Sequence, residues 1–255
     1  GNTALDSQTT GSNNVAVGNA ALTANTGGSQ NTAVGGESLD ANSTGNYNTA
    51  VGRNALTSNT TASSNSAFGI SALQENTTGT QNVAVGAFAL DANTTTNDNT
   101  AIGYAALGAN TGYENTAVGS IALDANTTGN VNTAVGYAAL TDNTTGSSNT
   151  AVGQNALGDN TTADNNVAVG KNVLRLNTTG AYNTAVGANA LDANTTANNN
   201  TAVGAMALDD NNADDNTGLG YKALNLNTTG TNNVAVGAGA LDANTTANNN
   251  TAVGS

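Results

Sequence analysis

The stretch SNTAVGQNALGDNTTADNNVAVG, Ser148–Gly170, decides how the whole chain is read. It passes through NTAVG, NAL and NTT, then returns to NNVAVG. The Gly closing this motif recurs from Gly18 through Gly35 and Gly52 to Gly254 at a spacing of 17 residues. Two spacings are 16, Gly103 to Gly119 and Gly204 to Gly220. The consensus is A-V-G-x-x-A-L-x-x-N-T-T-G/A-x-x-N-T. Both short repeats lose a residue in the same segment, Asn110-Thr111-Gly112 and Asn211-Asn212-Ala213. Surface turns tolerate deletions. The NTT-G/A segment is therefore expected to be a turn, and NTAVG and xALxxN the ordered segments.

A fixed short period points to a solenoid before any other architecture. Helix is disfavoured, because Gly and Asn are frequent and no i, i+3, i+4, i+7 apolar stripe exists. Short runs of β-branched residues bounded by turn residues read as strands. The expectation is an all-β fold, a β-solenoid or β-roll of about fifteen 17-residue coils with two short strands per coil, forming one tandem-repeat domain over residues 1–255. Coils stacked at about 4.8 Å would make a rod roughly 70 Å long. The chain begins with GNTALD and ends with NTAVGS, inside the pattern, so an excerpt of a longer fibre protein is expected.

Composition narrows the function classes. Among 255 residues there is no Pro, Cys, His or Trp, and Tyr and Phe number six and two. Low aromatic content can signal disorder, but Val and Leu keep a strict schedule here. Only four residues are basic (Arg53, Lys171, Arg175 and Lys222) and the net charge is −13. Binding to nucleic acid or an anionic membrane is disfavoured by that charge. No apolar run approaches the ~18 residues of a membrane span, so no membrane insertion is expected.

Stacking places equivalent residues above one another. Asn177, Asn194 and Asn227 form one Asn column, and Asn149, Asn166, Asn183 and Asn200 another. Stacked Asn side chains can hydrogen-bond along the ladder. The motif Gly is expected at a tight bend or a close backbone approach. The position before that Gly is Val, Ile, Leu or Phe throughout, and the one before it is Ala except at Gly218. Leu never varies in the second segment, and Ala precedes it except at Ser38 and Val173. Neighbours on a strand face opposite sides. The large residues are expected to fill the lumen and the Ala columns to face a close neighbour, another copy of the chain.

Material for catalysis is poor. Ser and Thr have no His or Cys to work with and no evident partner base, so no catalytic, cofactor or metal residue is assigned and an enzyme is not expected. Carboxylates recur after Leu (Asp40, Asp91, Asp124, Asp192, Asp209 and Asp242), which reads as a solvated face. Asp209, Asp210, Asp214 and Asp215 are the densest acidic segment; weak Ca²⁺ binding between coils is the alternative there. Lys171 and Arg175 form the only basic cluster and read as surface variation. Tyr104, Tyr137 and Tyr221 share the position after the motif Gly and are candidates for a binding strip. Asn-Thr-Thr triplets match the glycosylation sequon, but as turn consensus they say little.

The repeat N-T-A-V-G-x-x-A-L-x-x-N-T-T-G resembles tandem repeats of phage tail-fibre-like and bacterial surface fibre proteins. Its NTAVG core is similar to the head repeat of trimeric autotransporter adhesins, a trimeric left-handed β-roll. The resemblance covers essentially the whole chain. It implies an extracellular, cell-surface or virion fibre, homotrimeric or filamentous, with a host-surface or glycan receptor as external partner. The expected function is a non-enzymatic structural fibre or adhesin segment. Ice binding by Thr arrays on a flat solenoid face is the alternative, with Thr32, Thr49, Thr100, Thr133, Thr150 and turn pairs such as Thr144-Thr145 as the Thr columns, and Val83, Val167 and Val234 interrupting the first of them.

Overall fold

A computed structural model describes residues 1–255. The chain is an all-β solenoid with no helix, built from fifteen parallel strands of three residues each. It divides into two compact units, Gly1–Thr128 and Gly129–Ser255. Strands β1 (Val15–Val17), β2 (Thr32–Val34), β3 (Thr49–Val51), β4 (Ser66–Phe68), β5 (Val83–Val85), β6 (Thr100–Ile102) and β7 (Thr116–Val118) lie in the first. The second holds β8 (Thr133–Val135), β9 (Thr150–Val152), β10 (Val167–Val169), β11 (Thr184–Val186), β12 (Thr201–Val203), β13 (Thr217–Leu219), β14 (Val234–Val236) and β15 (Thr251–Val253). Within each unit every strand pairs with the next coil's strand in identical register, as in Thr32↔Thr49, Ala33↔Ala50, Val34↔Val51.

The short repeats keep that register. Thr100 pairs with Thr116, and Thr201 with Thr217. The missing residue is thus absorbed in the NTT turn, as the sequence predicts.

Each coil has one strand, where two were expected. The Ala-Leu segment is a run of turns because its backbone alternates in hand. In the coil after β2, Glu37 has φ 59° and Leu39 has φ 51°, and Tyr47 further on has φ 60°. Equivalent residues repeat this in every coil, among them Asn54, Leu56 and Ser64. Left-handed backbone costs an L-residue about 1–2 kcal/mol. A strand cannot hold it, since its residues all sit at negative φ. The turns are held from outside: Glu37 N–H donates to the Asn19 carbonyl of the preceding coil at 2.9 Å, and Leu39 N–H to the Ala55 carbonyl of the following one at 3.0 Å.

The motif Gly does stand at a close approach. Gly35 has φ 138°, and a Cβ there would lie 2.4 Å from the Gly52 carbonyl oxygen. No side chain fits between stacked backbones at that corner.

Burial reverses the expected faces of the strand. Its Ala is inside: Ala33, Ala50, Ala84 and Ala151 are wholly buried. Thr and Val flank it and point outward, half-buried or exposed. In the second segment both residues are inside, as at Ala55-Leu56 and Ala156-Leu157. The lumen is therefore lined by two Ala columns, one Leu column and two Asn columns. It is too narrow at the strand for anything larger than Ala.

Both Asn columns are buried, and in an ordinary coil their amides bond within the stack. Asn42 Nδ2 donates to Asn25 Oδ1 at 2.9 Å and to the Gly45 carbonyl at 3.1 Å. In the other column Asn31 Oδ1 accepts from Asn48 N–H at 2.9 Å, while Asn48 Nδ2 donates to the Ala62 carbonyl at 2.8 Å. An amide offers one acceptor oxygen and two donor hydrogens, and the repeat supplies partners from the neighbouring coil and, for the first column, from the residue three further on in the same coil. Asn is thus an interior residue of this fold as well as a turn residue.

Candidate functional site

The most extended feature on the surface is the outer face of the sheet. It carries two ranks of side chains. One is Thr, with Val15, Ser66, Val83, Val167 and Val234 as variants; the other is aliphatic or Phe, from Val17 and Val34 onward. Phe68 is 42% exposed, Ile102 41% and Leu219 37%. Val is the commonest residue of the second rank, and Val85, Val169, Val186 and Val203 are exposed too. Isolated exposed aliphatics are ordinary, whereas a contiguous apolar patch marks an interaction surface. Neither rank contains a charged residue, although the chain carries −13 overall.

The sequence held a signal for this orientation. In Thr-Ala-Val the two outer residues share a face. A Thr hydroxyl in a lumen with no spare acceptor would be costly, which sends Thr outward and takes Val with it. Reading large side chains as lumen-filling overlooked that coupling.

The other candidate residues are not drawn into one site. Asp209 is half-buried, and Asp210, Asp214 and Asp215 are exposed. Asp214 Oδ1 accepts from Asn198 N–H at 2.7 Å, so that carboxylate belongs to a turn ladder. No group of three or more acidic side chains converges in metal-binding geometry. Burial pushes the Asp209 carboxyl up to about 6, with Asp210 and Asp192 adding negative charge beside it. Burial also raises Asp91, Asp124 and Asp159. Of the carboxylates after Leu, Asp91, Asp124 and Asp209 are thus partly desolvated, whereas Asp242 is exposed as a solvated face requires.

Arg175 Nε lies 3.0 Å from Asp192 Oδ1 on the next coil, while Lys171 is exposed and apart from that pair. Tyr104, Tyr137 and Tyr221 are all exposed, but Ser120 separates the first two in their column and four further positions separate Tyr137 from Tyr221. They form no continuous strip. Tyr104 instead meets Phe88 edge-on, with ring centroids 6.0 Å apart.

The NTT segment is already occupied. The first Thr hydroxyl bonds the next coil, as in Thr60 Oγ1 to the Thr77 carbonyl at 3.2 Å. The sequon Asn is wholly buried, as at Asn59 and Asn160. An outer polar ladder, unnoticed in the sequence, runs just after the turn: Ser29 N–H donates to Asn46 Oδ1 at 2.8 Å, and Asn46 N–H to Ser63 Oγ at 3.0 Å. Its accepting side chains vary among Ser, Asn and Asp, and Thr80, Ala181 and Thr231 join through their N–H alone or with a hydroxyl, so no consensus letter revealed it.

Against known proteins, no family model and no curated sequence matches the chain.

Proposed function

We propose that the chain is a non-enzymatic structural segment of an extracellular or virion fibre, and that copies of it associate through the Thr/Val face of the sheet, most simply as a parallel homotrimer. The observation carrying this reading is the uncharged, half-exposed aliphatic rank that recurs on every strand. Burial of apolar surface drives association at about 25 cal/mol per Å². Identical coils in parallel register offer identical partners at every level, which suits closed symmetry. The rest of the chain is acidic, so like-charge repulsion disfavours contact through other faces. The resemblance of the repeat to surface-fibre and adhesin-head sequences agrees with this role. It also calls for a host-surface or glycan receptor recognised elsewhere on the fibre.

Sedimentation equilibrium with electron microscopy tests the proposal. A stable oligomer, three chains in mass and thicker than one solenoid, is expected. A folded monomer at tens of micromolar would sink it.

One observation favours a second reading, ice binding. The Thr and Val ranks make a regular outward array on a parallel sheet. Thermal hysteresis at micromolar concentration would support it, and inactivity would end it. The first Thr of each such turn adds nothing, because its hydroxyl serves the stack, as at Thr60 and Thr161.

A further inference from the structure

We infer that the coil just before the second short one holds a buried, structural water between Asn194 and Asn200, at a place where the coil just before the first short one uses the hydroxyl of Thr96 instead. In an ordinary coil the Asn amides pair from one repeat to the next, as Asn177 Nδ2 to Asn160 Oδ1 and Asn183 Nδ2 to the Ala197 carbonyl. Dropping one turn residue shifts these partners. At the second short coil Asn211 Nδ2 donates to the Ala213 carbonyl. The same carbonyl accepts from Asn216 Nδ2 at 3.1 Å. Asn194 Oδ1 and Asn200 Nδ2 are left without a protein partner, although both residues are wholly buried.

The coil before the first short one shows what the geometry requires. Asn93 and Asn99 are the counterparts there. Thr96 Oγ1 donates to Asn93 Oδ1 and accepts from Asn99 Nδ2 at 3.4 Å. Asn99 Nδ2 also reaches the Gly112 carbonyl at 3.0 Å. Every other coil has Gly or Ala at the Thr96 position, Ala197 among them. One hydroxyl, both donor and acceptor, thus closes the break in one place and is missing in the other. An unpaired buried acceptor and an unpaired buried donor form a costly combination. A water molecule offers both functions, and Ala197 has two fewer side-chain heavy atoms than Thr, leaving about the room a water needs. Oδ1 of Asn194 would accept from that water, and Nδ2 of Asn200 would donate to it.

The test is a high-resolution crystal structure of the full chain. An ordered water within hydrogen-bond reach of Asn194 Oδ1 and Asn200 Nδ2, with none at Asn93 and Asn99, is expected. A dry site, or the two Asn side chains bonded directly, would overturn the inference. Ala197→Thr should expel the water and slow amide exchange around the second short coil about fivefold, the value of one buried hydrogen bond. Ala197→Val fills the same space without a hydroxyl and should speed exchange about tenfold. Exchange in Ala197→Thr no slower than in Ala197→Val would equally overturn it.

Discussion

Two segments of one coil contain the same kind of apolar pair and bury it differently. Ala50-Val51 in β3 sends Ala inward and Val outward, whereas Ala55-Leu56 sends both inward. The difference is in the backbone. Extended residues alternate sides. Leu56 has φ 52° and Asn54 has φ 59°, and this change of hand folds the chain around its own side chains. Adjacent apolar letters therefore carry opposite meanings a few residues apart. Only the first leaves a hydrophobic rank for a partner.

The comparison breaks most readily at Leu56. Leu56→Ala should cost about 2–5 kcal/mol, as for other wholly buried Leu side chains, and a urea midpoint unchanged from wild type would contradict its place in the core. On the strand the effects should divide by side. Ala50→Val overpacks the lumen and should cost about 1–3 kcal/mol. Val51→Thr should leave the folded coil within about 0.5 kcal/mol, with its effect appearing in self-association. Hydrogen exchange of the β2–β4 amides separates the two variants.

Backbone hand predicts opposite signs for glycine. Glu37 is exposed with φ 59°, and Gly239 occupies the equivalent position naturally with φ 68°. Glu37→Gly should stabilise by about 0.5–1 kcal/mol, since relief of the left-handed penalty exceeds the added unfolded-state entropy. Ala55→Gly, where φ is not left-handed, should destabilise by a similar amount. Thermal melts that moved in the same direction would refute the assignment.

The smallest effect is that of pH. Asp209 has a folded-state value of about 6, above the ordinary 3.8. The folded chain then binds the proton more tightly than the unfolded one, so stability falls as pH rises from about 4 to 6. Solvent screening at this half-exposed site keeps the change to about 1 kcal/mol. Asp209→Asn should flatten that part of the stability–pH curve.

Period, turn and stacked Asn columns could be read from the letters because each is a repeat-level property. The 16-residue spacings at Gly119 and Gly220 located the turn directly, and the Gly and Asn columns had few alternatives. Facing and strand number were less accessible. Nothing in Ala-Leu announces a left-handed Leu, a conformation that Leu avoids unless neighbouring coils impose it. The Thr96 hydroxyl was hidden for the opposite reason. It is a single departure from consensus, and its meaning depends on a deletion in the following coil.

The central claim is that the Val rank is an outward face shared with another copy. The chain has no cysteine, so single replacements report cleanly. Mild oxidation of Val51→Cys and Ala50→Cys chains, followed by denaturing electrophoresis, tests it most directly. The account predicts covalently paired chains from Val51→Cys and none from Ala50→Cys. Pairing by Ala50→Cys, or its absence in Val51→Cys, would contradict it.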